Sequence, residues 1–162
     1  MLEDWAAAPP PARIALLARG VALAVSVATD LRERRILNVV PYPALLVCAG
    51  CALWLGGLPL LLEAAFGAFL CAAPLAAALW RGWMGAGDVK LMALAGLVAG
   101  AAAGWGFALG VLLDVAVAGG AQALLWIGAA RIRGQAPPRT VPYALAIAAG
   151  VTWAFVSGIA LF

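Results

Sequence analysis

The chain has no histidine. That removes histidine general bases, histidine metal sites and Ser-His-Asp triads from consideration. Charge is scarce too: only 10% of the 162 residues are charged, while 67% are hydrophobic. A soluble domain is roughly 25% charged and 45–50% apolar, so this chain has too little polar surface to cover its apolar bulk in water. The net charge of +3 is too small to suggest nucleic acid as a partner. There are three cysteines, Cys48, Cys51 and Cys71, all inside apolar runs. Cys48-x-x-Cys51 has the spacing of a redox or metal pair, but no second pair exists to complete a zinc site. The cysteines read instead as small residues in a helix core, and neither metal nor cofactor is expected. The N-terminus opens on Glu3 and Asp4 rather than a basic segment, so the first apolar run is expected to be a retained helix and not a cleaved signal.

What is present is six apolar stretches: about 12–29, 41–55, 58–80, 89–101, 105–130 and 143–161. A crossing of the hydrocarbon takes about 20 mostly apolar residues. The expectation is an all-α, polytopic membrane protein of about six transmembrane helices, forming a single membrane-embedded domain over 1–162 with lipid as its surroundings. Basic residues set the orientation. Arg32, Arg34 and Arg35 fall between runs one and two. Arg81 and Lys90 flank the gap between three and four, and Arg131, Arg133 and Arg139 fall between five and six. With six crossings all three connections share one side, expected to be the cytoplasm. The opposite connections, at Gly56-Gly57 and 100–104, carry no charge. Arg13 and Arg19 are the exceptions, and Arg19 is expected to pair with Asp114 or Glu63 in the outer half. Tryptophans near run ends (Trp54, Trp80, Trp83, Trp105) read as interfacial anchors.

Acids in or beside transmembrane helices mark functional positions by default. After the N-terminal tail there are five: Asp30, Glu33, Glu63, Asp88 and Asp114. Asp30 ends run one and Asp88 begins run four, both on the basic side. Two carboxylates at one depth on different helices suit an aspartic protease. One, ionised, activates water; the other, protonated, donates to the substrate carbonyl. Like charges held close split their pKa values, so that one proton is shared. Glu63 and Asp114 are read as lying outside this layer.

Asp88 sits in Gly85-Ala86-Gly87-Asp88-Val89-Lys90-Leu91. Two glycines before the acid allow a tight turn and close backbone approach. This string resembles the GxGD intramembrane aspartic proteases, and its Val-Lys-Leu resembles the type IV prepilin peptidases among them. Asp30-Leu31-Arg32-Glu33-Arg34-Arg35-Ile36-Leu37-Asn38 is similar to that family's first-aspartate segment, an Asp followed by a basic stretch and Ile-Pro-Asn. Val141-Pro142-Tyr143-Ala144 resembles the Pro-Tyr-Gly opening of the last helix in the small, Tad/Flp-pilus branch. Leu37 stands where the family has Pro, and Ala144 where it often has Gly.

The resemblance implies an endopeptidase that removes the leader of type IV (Flp-like) prepilins at the cytoplasmic face of the bacterial inner membrane, with Asp30 and Asp88 catalytic. Gly85, Gly87, Lys90, Asn38, Pro142 and Tyr143 would support the site. The paired CxxC domain of the large, methylating members is missing after run one, which implies a peptidase without methyltransferase activity. Lys90 reads equally as a partner for a carboxylate or as a side chain snorkelling to phosphate. Asn38 reads as a cap for the next helix as well as an active-site donor. Arg32, Arg34 and Arg35 are topology determinants that can also attract an acidic residue of the prepilin. The alternative from another class is a membrane scaffold or small transporter, in which Asp30 and Asp88 bind an ion or pair with basic residues. A transporter places polar residues near the midplane on broken helices, whereas these two acids gather at one face. Within GxGD proteases, the presenilin-like group has a Tyr-Asp context that Thr29-Asp30-Leu31 does not match.

Overall fold

The computed structural model describes residues 8–33, 36, 39–134 and 142–158. Asn38 lies outside these residues, as do Arg34, Arg35, Leu37, Arg139 and Val141. The described residues form four helices and no strand: α1 (Pro10–Glu33), α2 (Pro41–Trp80), α3 (Ala86–Ile132) and α4 (Tyr143–Ser157). α1, α2 and α3 are each long and apolar enough to cross a membrane, and α4 is a shorter apolar helix. Leu46, Trp54, Leu124 and Leu125 are each 73–75% exposed. Such faces need a non-aqueous solvent, and the protein is a membrane protein. Trp54, Trp80, Trp83 and Trp105 all point outward.

The two longest helices are interrupted. α2 leaves helical geometry at Gly56 and Gly57, and α3 at Ala103 and Gly104. Gly57 (φ 64°, ψ −157°) and Gly104 (φ 78°, ψ −178°) occupy backbone space that is open essentially to glycine alone. The six apolar runs of the sequence thus appear as four helices, two of them broken at the expected glycine positions. Three prolines follow the same logic, while Pro74 lies inside α2. Pro10 and Pro41 open α1 and α2, and Pro59 falls in the first turn after the α2 break, positions where no N–H is required.

The first half of α3 is the centre of the packing. One face (Leu91, Met92, Ala95, Ala99) joins a core with Leu23 of α1, Val111 and Val115 from beyond the α3 break, and Ala144, Ile147 and Val151 of α4. The other face (Leu94, Leu97, Val98) packs with Ala22, Ala44, Cys48, Ala52 and Ala64. The second half of α2 meets α3 with backbones almost touching. A Cβ added at Gly67 would lie 2.5 Å from the Gly96 carbonyl oxygen, and one at Gly100 would lie 2.6 Å from that of Glu63. Gly96-x-x-x-Gly100 is thus a small-residue seam of the kind that lets transmembrane helices approach closely. Cys71 donates to Ala108 O (3.2 Å) and Cys48 to Ala15 O (3.5 Å), and all three cysteines are free and buried.

Arg19 does not pair with Asp114 or Glu63, contrary to expectation. Its guanidinium stacks on the Phe155 ring, 3.8 Å from the centroid, and its buried Nε and Nη1 have no hydrogen-bond partner. Asp114 is 4% exposed with its Oδ2 likewise unpartnered. Helix rotation, which spacing along one run does not reveal, turned the arginine toward α4.

Candidate active site

Asp30 lies in the last turn of α1 and is only 8% exposed. Its Oδ2 accepts the N–H of Ala144 at 3.2 Å, across 114 residues of chain. The reason is local to α4. The first N–H groups of a helix lack intrahelical partners, and Pro142, the residue before α4, offers no side-chain cap. Asp30 fills that role from another helix and sits at the positive end of the α4 dipole.

Asp88 is the third residue of α3. Its Oδ2 accepts the Gly85 N–H at 3.2 Å, while its own N–H donates to Gly85 O at 3.2 Å. The carboxylate is therefore held by the turn that carries it. The Asp30 and Asp88 carboxylates are within Coulombic reach of one another. Neither Oδ1 accepts a hydrogen bond from the described residues, which leaves one oxygen on each for water or substrate.

The glycines around Asp88 act by space, not by dihedral angle. Gly85 is extended (φ −82°, ψ 148°), and the positive φ of this connection belongs to Gly82 (74°), which closes α2. A Cβ at Gly85 would crowd Asp88 Oδ2 at 3.2 Å. A Cβ at Gly87 would collide with Cβ of Ile36, with Cγ2 at 3.1 Å and Cγ1 at 3.3 Å. Gly87 thus lets the chain that follows Asp30 lie directly on the helix that carries Asp88.

The start of α4 closes the site. Tyr143 is within Coulombic reach of Asp88, and its ring rests on Gly119, where an added Cβ would be 2.7 Å from Cε2 and 2.9 Å from the hydroxyl. Gln122 Nε2 donates to Pro142 O at 2.9 Å. Lys90 Nζ lies 4.7 Å from the Tyr42 ring centroid. Two positions separate it from Asp88, about 200° around the helix. Of the residues expected at the site, Asp30, Asp88, Gly85, Gly87, Pro142 and Tyr143 are therefore gathered together, and Lys90 faces the beginning of α2.

Ile36, Gly119 and Gln122 were not anticipated. Gln122 had a usable signal, since it is an amide inside an otherwise apolar run; Ile36 lay within the first-aspartate segment without its packing role being legible, and Gly119 had no signal. α3 runs on past the start of α4. The level of the site on this helix is Gly119 to Gln122, and Asp114 is roughly 8 Å along the axis from Gly119 at 1.5 Å per residue. Glu63 is remote, lying beside Gly104 at the α3 break.

The profile of the type IV leader peptidase family matches residues 17–124, more than half of the chain and inclusive of both aspartates. The chain belongs to the type IV leader peptidase family. It is accordingly an aspartic peptidase, a hydrolase of the prepilin-leader type. No curated protein and no solved structure matches it. The matched region ends before α4 and does not include Pro142, Tyr143 or Ala144.

Proposed function

We propose that this leader peptidase cleaves type IV (Flp-like) prepilins at the cytoplasmic face of the bacterial inner membrane, with Asp30 and Asp88 as its catalytic pair. The observation that carries the proposal is the convergence of two acids from distant helices. Asp30 is buried and docked on α4, within Coulombic reach of Asp88, and each carboxylate keeps one oxygen clear of the described residues.

In this reading the breaks at Gly56-Gly57 and Ala103-Gly104 are turns at the outer surface, and the chain crosses the bilayer six times. The basic connections then share the cytoplasmic side, at the level of both aspartates. One carboxylate takes a proton from water as the water oxygen bonds to the scissile carbonyl carbon. The other, protonated, donates to the carbonyl oxygen. Collapse of the tetrahedral species breaks the C–N bond, and the proton held by the first carboxylate passes to the leaving amine.

The test is cleavage of a co-expressed prepilin by Asp30→Asn and Asp88→Asn. Each change keeps the side-chain size and removes the titrating group. Loss of a general acid or base costs about 10²–10⁴-fold in rate, so neither variant should process prepilin detectably while both still insert. Full activity in either one rejects the pair.

A further inference from the structure

Gln122 is half-buried in the second half of α3. Its Nε2 donates to Pro142 O. A carbonyl only accepts, so the direction of the amide is fixed. Oε1 is then left buried with no partner. An unsatisfied buried acceptor costs more than one neutral hydrogen bond returns. A residue selected for packing alone would be apolar here, and its neighbours Leu124 and Leu125 are. The donor is what distinguishes Gln122.

The group it holds is the start of α4. Pro142 supplies no cap of its own to that helix. The next two residues are the ones that face the acids: Tyr143 is within Coulombic reach of Asp88, and Ala144 N–H donates to Asp30 Oδ2. Gly119, about one turn before Gln122 on α3, gives the Tyr143 ring its seat. One stretch of α3 therefore fixes both the backbone and the side chain at the point where α4 meets the catalytic pair.

We infer that Gln122 is a positioning residue of the peptidase: by holding the Pro142 carbonyl it sets the start of α4, and with it the Ala144 N–H on Asp30. The inference rests on Asp30 being catalytic. It assigns Gln122 no contact with substrate.

The experiment measures kcat and KM of the full-length protein in detergent micelles. The substrate is a recombinant prepilin with a basic leader, a glycine at the cleavage point and a hydrophobic helix after it. Gln122→Met keeps length and bulk and removes the donor; Gln122→Lys restores a donor. A displacement of about 1 Å at a reacting group can cost about 10²-fold. Gln122→Met should therefore lose about 10- to 100-fold in kcat, with KM changed by less than about twofold and an unaltered melting midpoint. Gln122→Lys should recover at least about threefold of that loss. Wild-type kcat in Gln122→Met overturns the inference, because a filler residue would be satisfied by methionine. Equal impairment of Met and Lys overturns it as well. Should Gln122→Met fail to accumulate in membranes, Gln122→Leu, which also removes the donor and offers no hydrogen-bonding group, carries the test with the same expected loss. Asp30→Asn and Asp88→Asn run alongside. If either cleaves, the catalytic reading itself is wrong; if both are dead and Gln122→Met is fully active, only the positioning role is.

Discussion

Gly87→Ala tests how the two halves of the site are brought together. The substitution adds one methyl group, and alanine is the better helix former by about 1 kcal/mol, so local propensity predicts a neutral or stabilising change. Packing predicts the opposite. The new Cβ would fall on Cβ of Ile36, closer than the 3.0 Å that real Cβ atoms essentially never pass. To regain ordinary contact Ile36 has to retreat by roughly 1 Å. The obstructing atom is the root of the side chain, so no rotamer change relieves it and the backbone at 36 must move. Ile36 lies just beyond the α1 turn that carries Asp30, and Gly87 adjoins Asp88, so the displacement separates the acids. Overpacking of this kind costs about 1–3 kcal/mol in stability, and misplacement by about 1 Å costs about 10²-fold in rate. The assay is kcat for prepilin cleavage in micelles, with thermal unfolding of the same sample. Gly106→Ala is the control, since a Cβ there meets nothing within 4 Å. Gly85→Ala should fall between the two, because its obstacle is the far end of the Asp88 side chain, which can rotate. Ile36→Gly in the Gly87→Ala background should recover activity. The steric reasoning fails if Gly87→Ala cleaves at the wild-type rate, or if Gly106→Ala is impaired as severely.

Other consequences follow from the packing. Gly67→Ala and Gly100→Ala each drive a methyl group against a backbone carbonyl across the α2–α3 seam, and should lower stability by about 1–3 kcal/mol, seen as a fall in melting midpoint; Gly50→Ala, with open space around it, should not. Arg19→Met should leave stability unchanged or raise it, because the stacking on Phe155 is worth about 0.5–2 kcal/mol while each buried, unpaired guanidinium N–H costs about 1–3 kcal/mol; a loss above about 2 kcal/mol would mean the arginine has a partner that stabilises it. The triple variant Cys48→Ser, Cys51→Ser, Cys71→Ser should cleave prepilin normally, since serine can repeat the bonds to Ala15 O and Ala108 O. Activity should also persist in EDTA, because the proposed mechanism uses water and two carboxylates alone; loss in chelator would contradict it.

Composition by itself determined the solvent. So little charge in so apolar a chain left the bilayer as the only medium, and the exposed leucines and tryptophans agree. Local sequence also located the helix breaks, because Gly57 and Gly104 adopt backbone conformations that depend on the residue itself. The two aspartates were legible for a related reason: each lies at a helix end beside a short motif, and helix ends are set by a few neighbouring residues. The tertiary structure decided which groups those ends meet. Asp30 finds its donor in Ala144, Gly87 makes room for Ile36, and Arg19 turns to Phe155 instead of an acid. These outcomes depend on helix rotation and on how far one helix runs past another, as α3 runs past the start of α4. Neither quantity is written in the spacing of a single run. Gln122 shows the boundary well: an amide stands out in an apolar segment, but its bond to the carbonyl of Pro142 depends on how α3 and α4 pack side by side.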